Sequence, residues 1–184
     1  TFLAAEGKRV TSSKELAEKL GMSSAQIRKD LSHFGEFGKQ GTGYEIENLI
    51  GQLRHILKVD REWPVIVIGA GDLGHALVHH GSLRDQGFRI VGIFDNSPRK
   101  IGQRWQELEV QDVATMPEFV RTSHVDLAVV AVPAREAQRV VDELVAAGIA
   151  GILNYAPITV SVPPGVHIEY IDPVIHMQRM TYYL

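Results

Sequence analysis

The sequence predicts an α/β protein in two parts: a small helical unit with a glycine-rich hairpin, then a parallel sheet flanked by helices and closed by a terminal helix. Three observations carry this. Two capped helical patterns near the start are separated by only Gly21-Met22. From Val65 onward, short β-branched runs alternate with helical stretches, which is the grammar of βαβ units. The first of these runs leads straight into Gly69-Ala70-Gly71-Asp72-Leu73-Gly74, a glycine loop between strand and helix.

Composition sets the outer bounds. A length of 184 residues suits one large domain or two small ones, and 45% apolar with 22% charged residues is ordinary for a chain that buries a core. With no cysteine, disulfide and thiolate chemistry are excluded. No run approaches the roughly 18 apolar residues of a membrane span. No leader pattern and no HExxH motif is present. A cytoplasmic protein without membrane or metal partners is the expectation. The net charge of −3 hides an asymmetry: residues 1–61 hold ten Lys/Arg against eight Asp/Glu, and residues 62–184 hold nine against fourteen. A polyanion is better received by the N-terminal third.

The elements follow in order. Phe2-Leu3-Ala4-Ala5 reads as the last turn of a helix that begins before the chain, and Arg9-Val10-Thr11 as extended. Ser12 with Glu15 is a capping-box pair, and Leu16, Ala17 and Leu20 form a buried stripe before Gly21 stops the helix. Ser23 with Gln26 repeats the capping pattern, with Ile27, Leu31 and Phe34 inward and Gly35 as the stop. Residues 37–44 form a glycine-dense hairpin, and residues 45–59 a helix with Ile46, Leu49, Ile50, Leu53, Ile56 and Leu57 on one face. Lys58 to Trp63, closed by Pro64, is the linker. Strands are expected at 65–68, 89–94, 127–132, 151–153 and 167–171, with helices at 73–80, 135–147 and 174–184. In the helix at 135–147, Val140, Val141, Leu144 and Val145 face inward.

The glycine loop carries the first functional reading. Gly69 makes the turn, Gly71 lets the backbone approach a pyrophosphate, and Gly74 lets helix and strand pack. Ala70, Asp72 and Leu73 complete the loop, whose helix N-terminus favours phosphate. The next strand ends in Asp95, 21 residues beyond Gly74, and a carboxylate there takes the ribose hydroxyls of NAD and repels the 2′-phosphate of NADP. Asn96 and Lys100 adjoin it; Arg99 and Lys100 suit an NADP phosphate, against which Asp95 argues. The other strand ends, Val132-Pro133 and Asn154 with Ala156, line the same crevice. Asn154 reads either as the partner of a nicotinamide carboxamide or as a turn-forming Asn. The alternative for the whole motif is a Rossmann core with an empty pocket.

The paired helices and basic hairpin are the parts of a winged helix-turn-helix. Opposite the Ile27/Leu31/Phe34 stripe lie Ala25, Lys29 and Ser32, flanked by Arg28 and His33, a face of cations and small polar groups suited to a major groove. Ser12 at the first helix start, and Lys39 with Gln40 at the wing tip, complete the DNA-contacting set. An exposed helix with ordinary surface charge is the bland reading of Arg28-Lys29.

Both halves together resemble the Rex family of redox-sensing repressors, and the resemblance covers essentially the whole chain. Its most specific stretches are Val10–Ser13, Gln26–Ser32, Phe34-Gly35, Gly41–Tyr44, Gly69–Gly74, Gly151–Pro157 and Ile171-Asp172. The resemblance implies a homodimer on A/T-rich palindromic operators that is released by NADH, while NAD⁺ competes without causing release. It implies a winged-helix domain at 1–61, a Rossmann NAD(H) domain at 64–172 and a dimerisation helix at 173–184 exchanged between subunits, whose Val174, Ile175, Met177, Met180, Tyr182, Tyr183 and Leu184 suit a partner. It places His80 and Pro173 in the nicotinamide-sensing region, and Asp172 there reads as the group that senses the charge on the ring. His80 stands where the family usually has Tyr, Pro173 where a bulky apolar residue is common, and Gln40 where a second basic residue is common. Asp72 adds negative charge beside the pyrophosphate site. The alternative reading of Asp172 is a helix cap ahead of Pro173. An NAD-dependent oxidoreductase and a CoA-binding module are the rival functions. Against the first, the histidines are scattered and the Rossmann fold consumes the residues after the linker; against the second stands Asp95.

Overall fold

The computed structural model describes residues 6–33, 35 and 43–184, and the chain divides into two compact units, Thr1–Arg61 and Glu62–Leu184. In the first unit, strand β1 (Val10–Thr11) pairs antiparallel with β2 (Tyr44–Glu45). Helix α1 (Ser13–Leu20) starts where Ser12 Oγ accepts the Glu15 N–H and stops at Gly21, whose φ of 66° only glycine adopts without strain. Helix α2 (Ser24–Ser32) starts in the same way at Ser23, which accepts from Gln26. Helix α3 spans Ile46–Ile56. Ala17, Ile27, Ile46 and Leu49 are buried in this unit, together with Thr11.

Several expectations shift here. The capping boxes are half-formed: Glu15 accepts from Thr11 Oγ1 and Lys8, and the Gln26 amide donates to Asp30, so neither side chain is shown turning back to its cap. Leu20, expected inside, is 61% exposed, as is Leu57 at 67%. Helix α2 closes at Ser32 rather than Gly35, and α3 ends at Ile56, with Lys58 turned to a φ of 55°. Residues 2–5, Phe34 and the wing tip with Lys39 and Gln40 lie outside the described residues.

In the second unit a sheet runs in the order β5-β6-β4-β3-β7-β8-β9. Its strands are β3 (Trp63–Ile68), β4 (Phe88–Asp95), β5 (Arg104–Trp105), β6 (Leu108–Asp112), β7 (Leu127–Val130), β8 (Gly151–Asn154) and β9 (His167–Tyr170). All neighbours pair in parallel except β5, which is antiparallel to β6 at the edge. Without β5 this is the doubly wound order 3-2-1-4-5-6, whose direction reverses between β3 and β7. The linker expected to run to Pro64 ends sooner, because Trp63 and Pro64 already pair with β4. Proline is tolerated there because pairing with β7 begins only at Val65.

Five helices accompany the sheet: α4 (Asp72–Val78), α5 (Ser82–Asp85), α6 (Met116–Ser123), α7 (Ala134–Ala147) and α8 (Pro173–Thr181). Strand alternation sorts the side chains by face. On one face Ile66, Ile68, Phe94, Ala128, Val130 and Ile152 pack on Met116 and Val120 of α6 and Val140, Val141 and Leu144 of α7. The other face carries Val65, Val67 and Val129 near Leu77 of α4, and Ile93 and Val110 near Val78. The connection from Tyr155 to Val166 holds no helix. Over β7 and β8 this second face keeps an apolar depression of about 390 Å³, lined by Val65, Leu77, Phe88, Leu127, Leu153 and Tyr155. Among the described residues no helix is long and apolar enough to cross a membrane, and no group of three metal-ligating side chains gathers.

Leu144 is wholly buried where α7 meets the sheet. Leu144→Ala is expected to destabilise the protein by about 2–5 kcal/mol, read as a lower denaturant midpoint.

Candidate nucleotide crevice and helix-turn-helix surface

The three loop glycines meet three different demands. Gly69 has a φ of 108°, and a Cβ there would be driven into the Ala131 carbonyl, so the end of β3 and the chain leaving β7 are in near-backbone contact. A Cβ on Gly74 would strike the carbonyl oxygen of Gly69; α4 therefore rests directly on the turn that precedes it. Gly71 is different, since a Cβ there meets nothing within 4 Å. It faces a crevice of about 430 Å³ at the carboxyl ends of β3, β4 and β7, lined also by Asp95, Asn96, Lys100, Val132 and Pro133. Asp72 and Leu73 open α4 on its exposed side, and Ala70 is buried beneath the turn.

Asp95, 8% exposed, ties the crevice wall together. Its Oδ2 accepts the Ala70 N–H at 2.8 Å and the Lys100 ammonium at 3.1 Å, and its Oδ1 accepts the Ser97 N–H at 2.8 Å. Burial works to raise its pKa, but the N–H groups of Ser97 and Ala70 and then the Lys100 ammonium outweigh that and hold it below the ordinary 3.8. These contacts add a duty that the sequence did not announce: the carboxylate braces the glycine loop besides facing the crevice.

Other candidates fall elsewhere. The Asn154 side chain, 1% exposed, is committed to its own turn: Nδ2 donates to the carbonyls of Ala156 and Ile158, and Oδ1 accepts the Ala156 N–H. The turn-forming reading is the one this geometry expresses, and Ala156 is buried in the core. Asp172 caps α8 by accepting the Val174 N–H at 2.9 Å, with Pro173 as its first residue. His80 lies beyond the C-terminal end of α4, one helix length of about 10 Å from the glycine loop, where its Nδ1 meets Ser82 Oγ at 2.7 Å. His80, Asp172 and Pro173 are not among the residues that line the crevice. Arg139, absent from the sequence reading, does line it, paired with Glu136 and Glu143 on α7. Its position on a helix that starts beside the reversal point was the available signal.

In the first unit Ala25, Arg28, Lys29, Ser32 and His33 share the exposed side of α2, opposite buried Ile27. Arg28 reaches Ser13 Oγ at 3.3 Å, the Ser32 hydroxyl donates to the Lys29 carbonyl, and Ser12 is occupied as a cap.

Fold and site define a Rossmann-like nucleotide-binding unit joined to a helix-turn-helix unit. Residues 60–158 match a family model described as "CoA binding domain", and residues 1–32 one described as "Putative DNA-binding protein N-terminus". The chain belongs to the Rex family of redox-sensing transcriptional repressors. It is 49% identical to the redox-sensing transcriptional repressor Rex of Chloroflexus aggregans across 100% of this chain and 86% of that one. It is also similar to RSP, a Rex-family repressor, solved in complex with β-NAD⁺ and operator DNA (TM-score 0.93, 39% identity, 98% of this chain and 83% of that one). RSP in complex with β-NADH matches with a TM-score of 0.90 at 36% identity, over 98% of this chain and 84% of that one.

Gly71→Ala is expected to leave stability within about 1 kcal/mol of the parent, whereas Gly74→Ala costs roughly 1–3 kcal/mol because two backbones must part; thermal unfolding separates them. Asp95, with its lowered native pKa, contributes stability that is full above its unfolded pKa of about 3.9 and is lost as pH falls through the native value. The stability gap between the parent and Asp95→Asn should therefore be widest above about pH 4 and close in stronger acid.

Proposed function

We propose that this chain is a DNA-binding repressor that reads the NADH/NAD⁺ ratio and leaves A/T-rich palindromic operators when NADH binds. The observation that carries this reading is the pairing of Gly71, open toward the crevice, with Asp95 at the end of the next strand. The RSP complexes with β-NAD⁺, β-NADH and operator DNA support the same ligands here. The loop Gly69–Gly74 would hold the pyrophosphate, with Asp95, Asn96 and Lys100 at the ribose and Val132 and Pro133 along the other wall. Asn154 and Ala156 would shape the crevice through their turn.

The two nicotinamides differ by a hydride and by a positive charge on the ring. We assign sensing of that charge to Asp172 at the head of α8, with Pro173 and His80 beside the nicotinamide in the assembled protein. The cap uses Oδ1 of Asp172. Asp172→Asn keeps a competent cap and removes the charge; full discrimination between NADH and NAD⁺ in that variant would end this assignment. A coupling of about 1–3 kcal/mol between the two ligands suffices for regulation.

The assembled protein in this reading is a homodimer. Val174, Ile175, Met177 and Met180 of α8 are each more than half exposed, which suits burial against a second subunit. We assign residues 1–61 to the DNA reader, 64–172 to the nucleotide domain and 173–184 to dimerisation, in a cytoplasmic protein that regulates transcription and performs no turnover. On the DNA, Ala25, Arg28, Lys29 and Ser32 of α2 and His33 just beyond it face the major groove, Ser12 meets a phosphate, and Lys39 and Gln40 complete the proposed contacts. The alternative is a CoA-binding module, in keeping with the description of the family model over residues 60–158, and competition between CoA and NADH fluorescence separates the two.

The test is a gel shift on an A/T-rich palindrome. NADH should release the DNA, NAD⁺ should not, and Lys29→Ala should weaken binding by about 5–150-fold, the 1–3 kcal/mol of one such contact. Binding indifferent to both nucleotides would overturn the reading. Gly71→Ala should lose the NADH response while remaining folded.

A further inference from the structure

Asp95 has fewer open acceptor positions than its place in the crevice demands. A carboxylate offers about four lone-pair sites. On Oδ2 both are taken, by the Ala70 N–H at 2.8 Å and by the Lys100 ammonium at 3.1 Å. On Oδ1 one is taken by the Ser97 N–H at 2.8 Å. A single position is left, and two ribose hydroxyls need two. The Ala70 and Ser97 donors are backbone groups: one lies in the glycine loop braced by Gly74, the other in the turn that follows β4. The third partner is a flexible side chain, 38% exposed, whose own backbone is anchored by a Lys100 N–H to Ser97 carbonyl bond of 2.9 Å. Only Lys100 can yield.

We propose that Lys100 sets the nucleotide specificity of this crevice: its ammonium occupies the Asp95 acceptor position that a ribose hydroxyl needs, and offers a counter-charge to a 2′-phosphate. Lys100 thus lowers affinity for NAD(H) and narrows the margin by which NADP(H) is refused. The inference rests on the dinucleotide reading above and adds the residue that tunes it. A ribose with two free hydroxyls must displace the ammonium from Oδ2. A ribose carrying a 2′-phosphate meets a carboxylate that is already half-neutralised, with a cation beside it. Removing the cation exposes the full charge of Asp95 to the phosphate, and like charges at that distance repel strongly in a part-buried site.

The measurement is nicotinamide fluorescence on the full chain, titrated with NADH and separately with NADPH, for the parent, Lys100→Met and Lys100→Arg. Lys100→Met should bind NADH about 2–5-fold more tightly, the worth of one half-exposed ion pair. Its ratio of NADPH to NADH dissociation constants should widen at least tenfold. Lys100→Arg keeps the charge and should keep the parent ratio; its unfolding curve, with that of Lys100→Met, shows whether the β4 turn has survived. An unchanged ratio in folded Lys100→Met, or weaker binding of both nucleotides, overturns the proposal and leaves the dinucleotide pocket standing. A parent chain that binds neither nucleotide overturns the pocket reading, and the Lys100 assignment with it.

Discussion

The crevice exists because backbone meets backbone at the end of β3. The Gly69 Cα lies against the Ala131 carbonyl and the Gly74 Cα against the Gly69 carbonyl, so three segments converge with no side chain between them. Any other residue at 69 or 74 would push α4 away from the sheet or β7 away from β3. That closeness lets the chain turn from strand to helix within three residues while the strand order reverses beside it. The opening left at the carboxyl edge is the one place in such a sheet where loops diverge instead of packing. Gly71 is spared this crowding, and its exposure to the crevice separates it from the two packing glycines.

Asp95 fixes the second wall by the opposite means, polar and buried. Its three donors join the loop after β3 to the turn after β4, and a buried carboxylate without them would be costly. The same group also faces the crevice, so structural support and the proposed ligand contact fall on one carboxylate. In the proposed reading these two duties compete for its lone pairs, and Lys100, the one side-chain partner among its three donors, is where the competition is resolved without moving backbone.

The two faces of the sheet are unequally finished. The α6/α7 face is closed, partly because the loop from Tyr155 to Val166 lies on it: the Tyr170 hydroxyl and the Gln138 amide each satisfy both backbone groups of one loop residue, Val160 and Ser161, and Val160 packs into the core. That strap takes the place of a crossover helix. The other face keeps its apolar depression over β7 and β8, and α8 displays Ile175, Met177 and Met180 to solvent. Both surfaces stay open in the single chain, and burying either gains roughly 25 cal/mol per Å², which is the ground for the dimer proposed above.

What the sequence made legible was whatever a local rule governs. Ser12, Ser23 and Gly21 cap where expected because capping needs only the few residues around it. The buried strands at 65–68 and 127–130 announce themselves as unbroken β-branched runs. The edge hairpin of β5 and β6 escaped notice because Leu108 and Val110 alternate with polar neighbours over too few residues to rise above a loop, and Trp105 is buried by tertiary packing alone. At the site, Gly69 and Gly74 were readable because each answers a steric demand fixed by the turn, whereas Gly71 is open to the crevice. The roles of Asn154 and Asp172 were not, for a physical reason: a short polar side chain after a strand or before a helix suits a ligand and an orphaned backbone group equally well, since both present the same N–H and C=O. Sequence fixes the chemistry such a residue offers; only the fold decides which partner arrives first. Here the Asn154 turn and the α8 cap arrive first. A nucleotide role for Asp172 must therefore work alongside that cap, which is why the amide variant, and not alanine, isolates it.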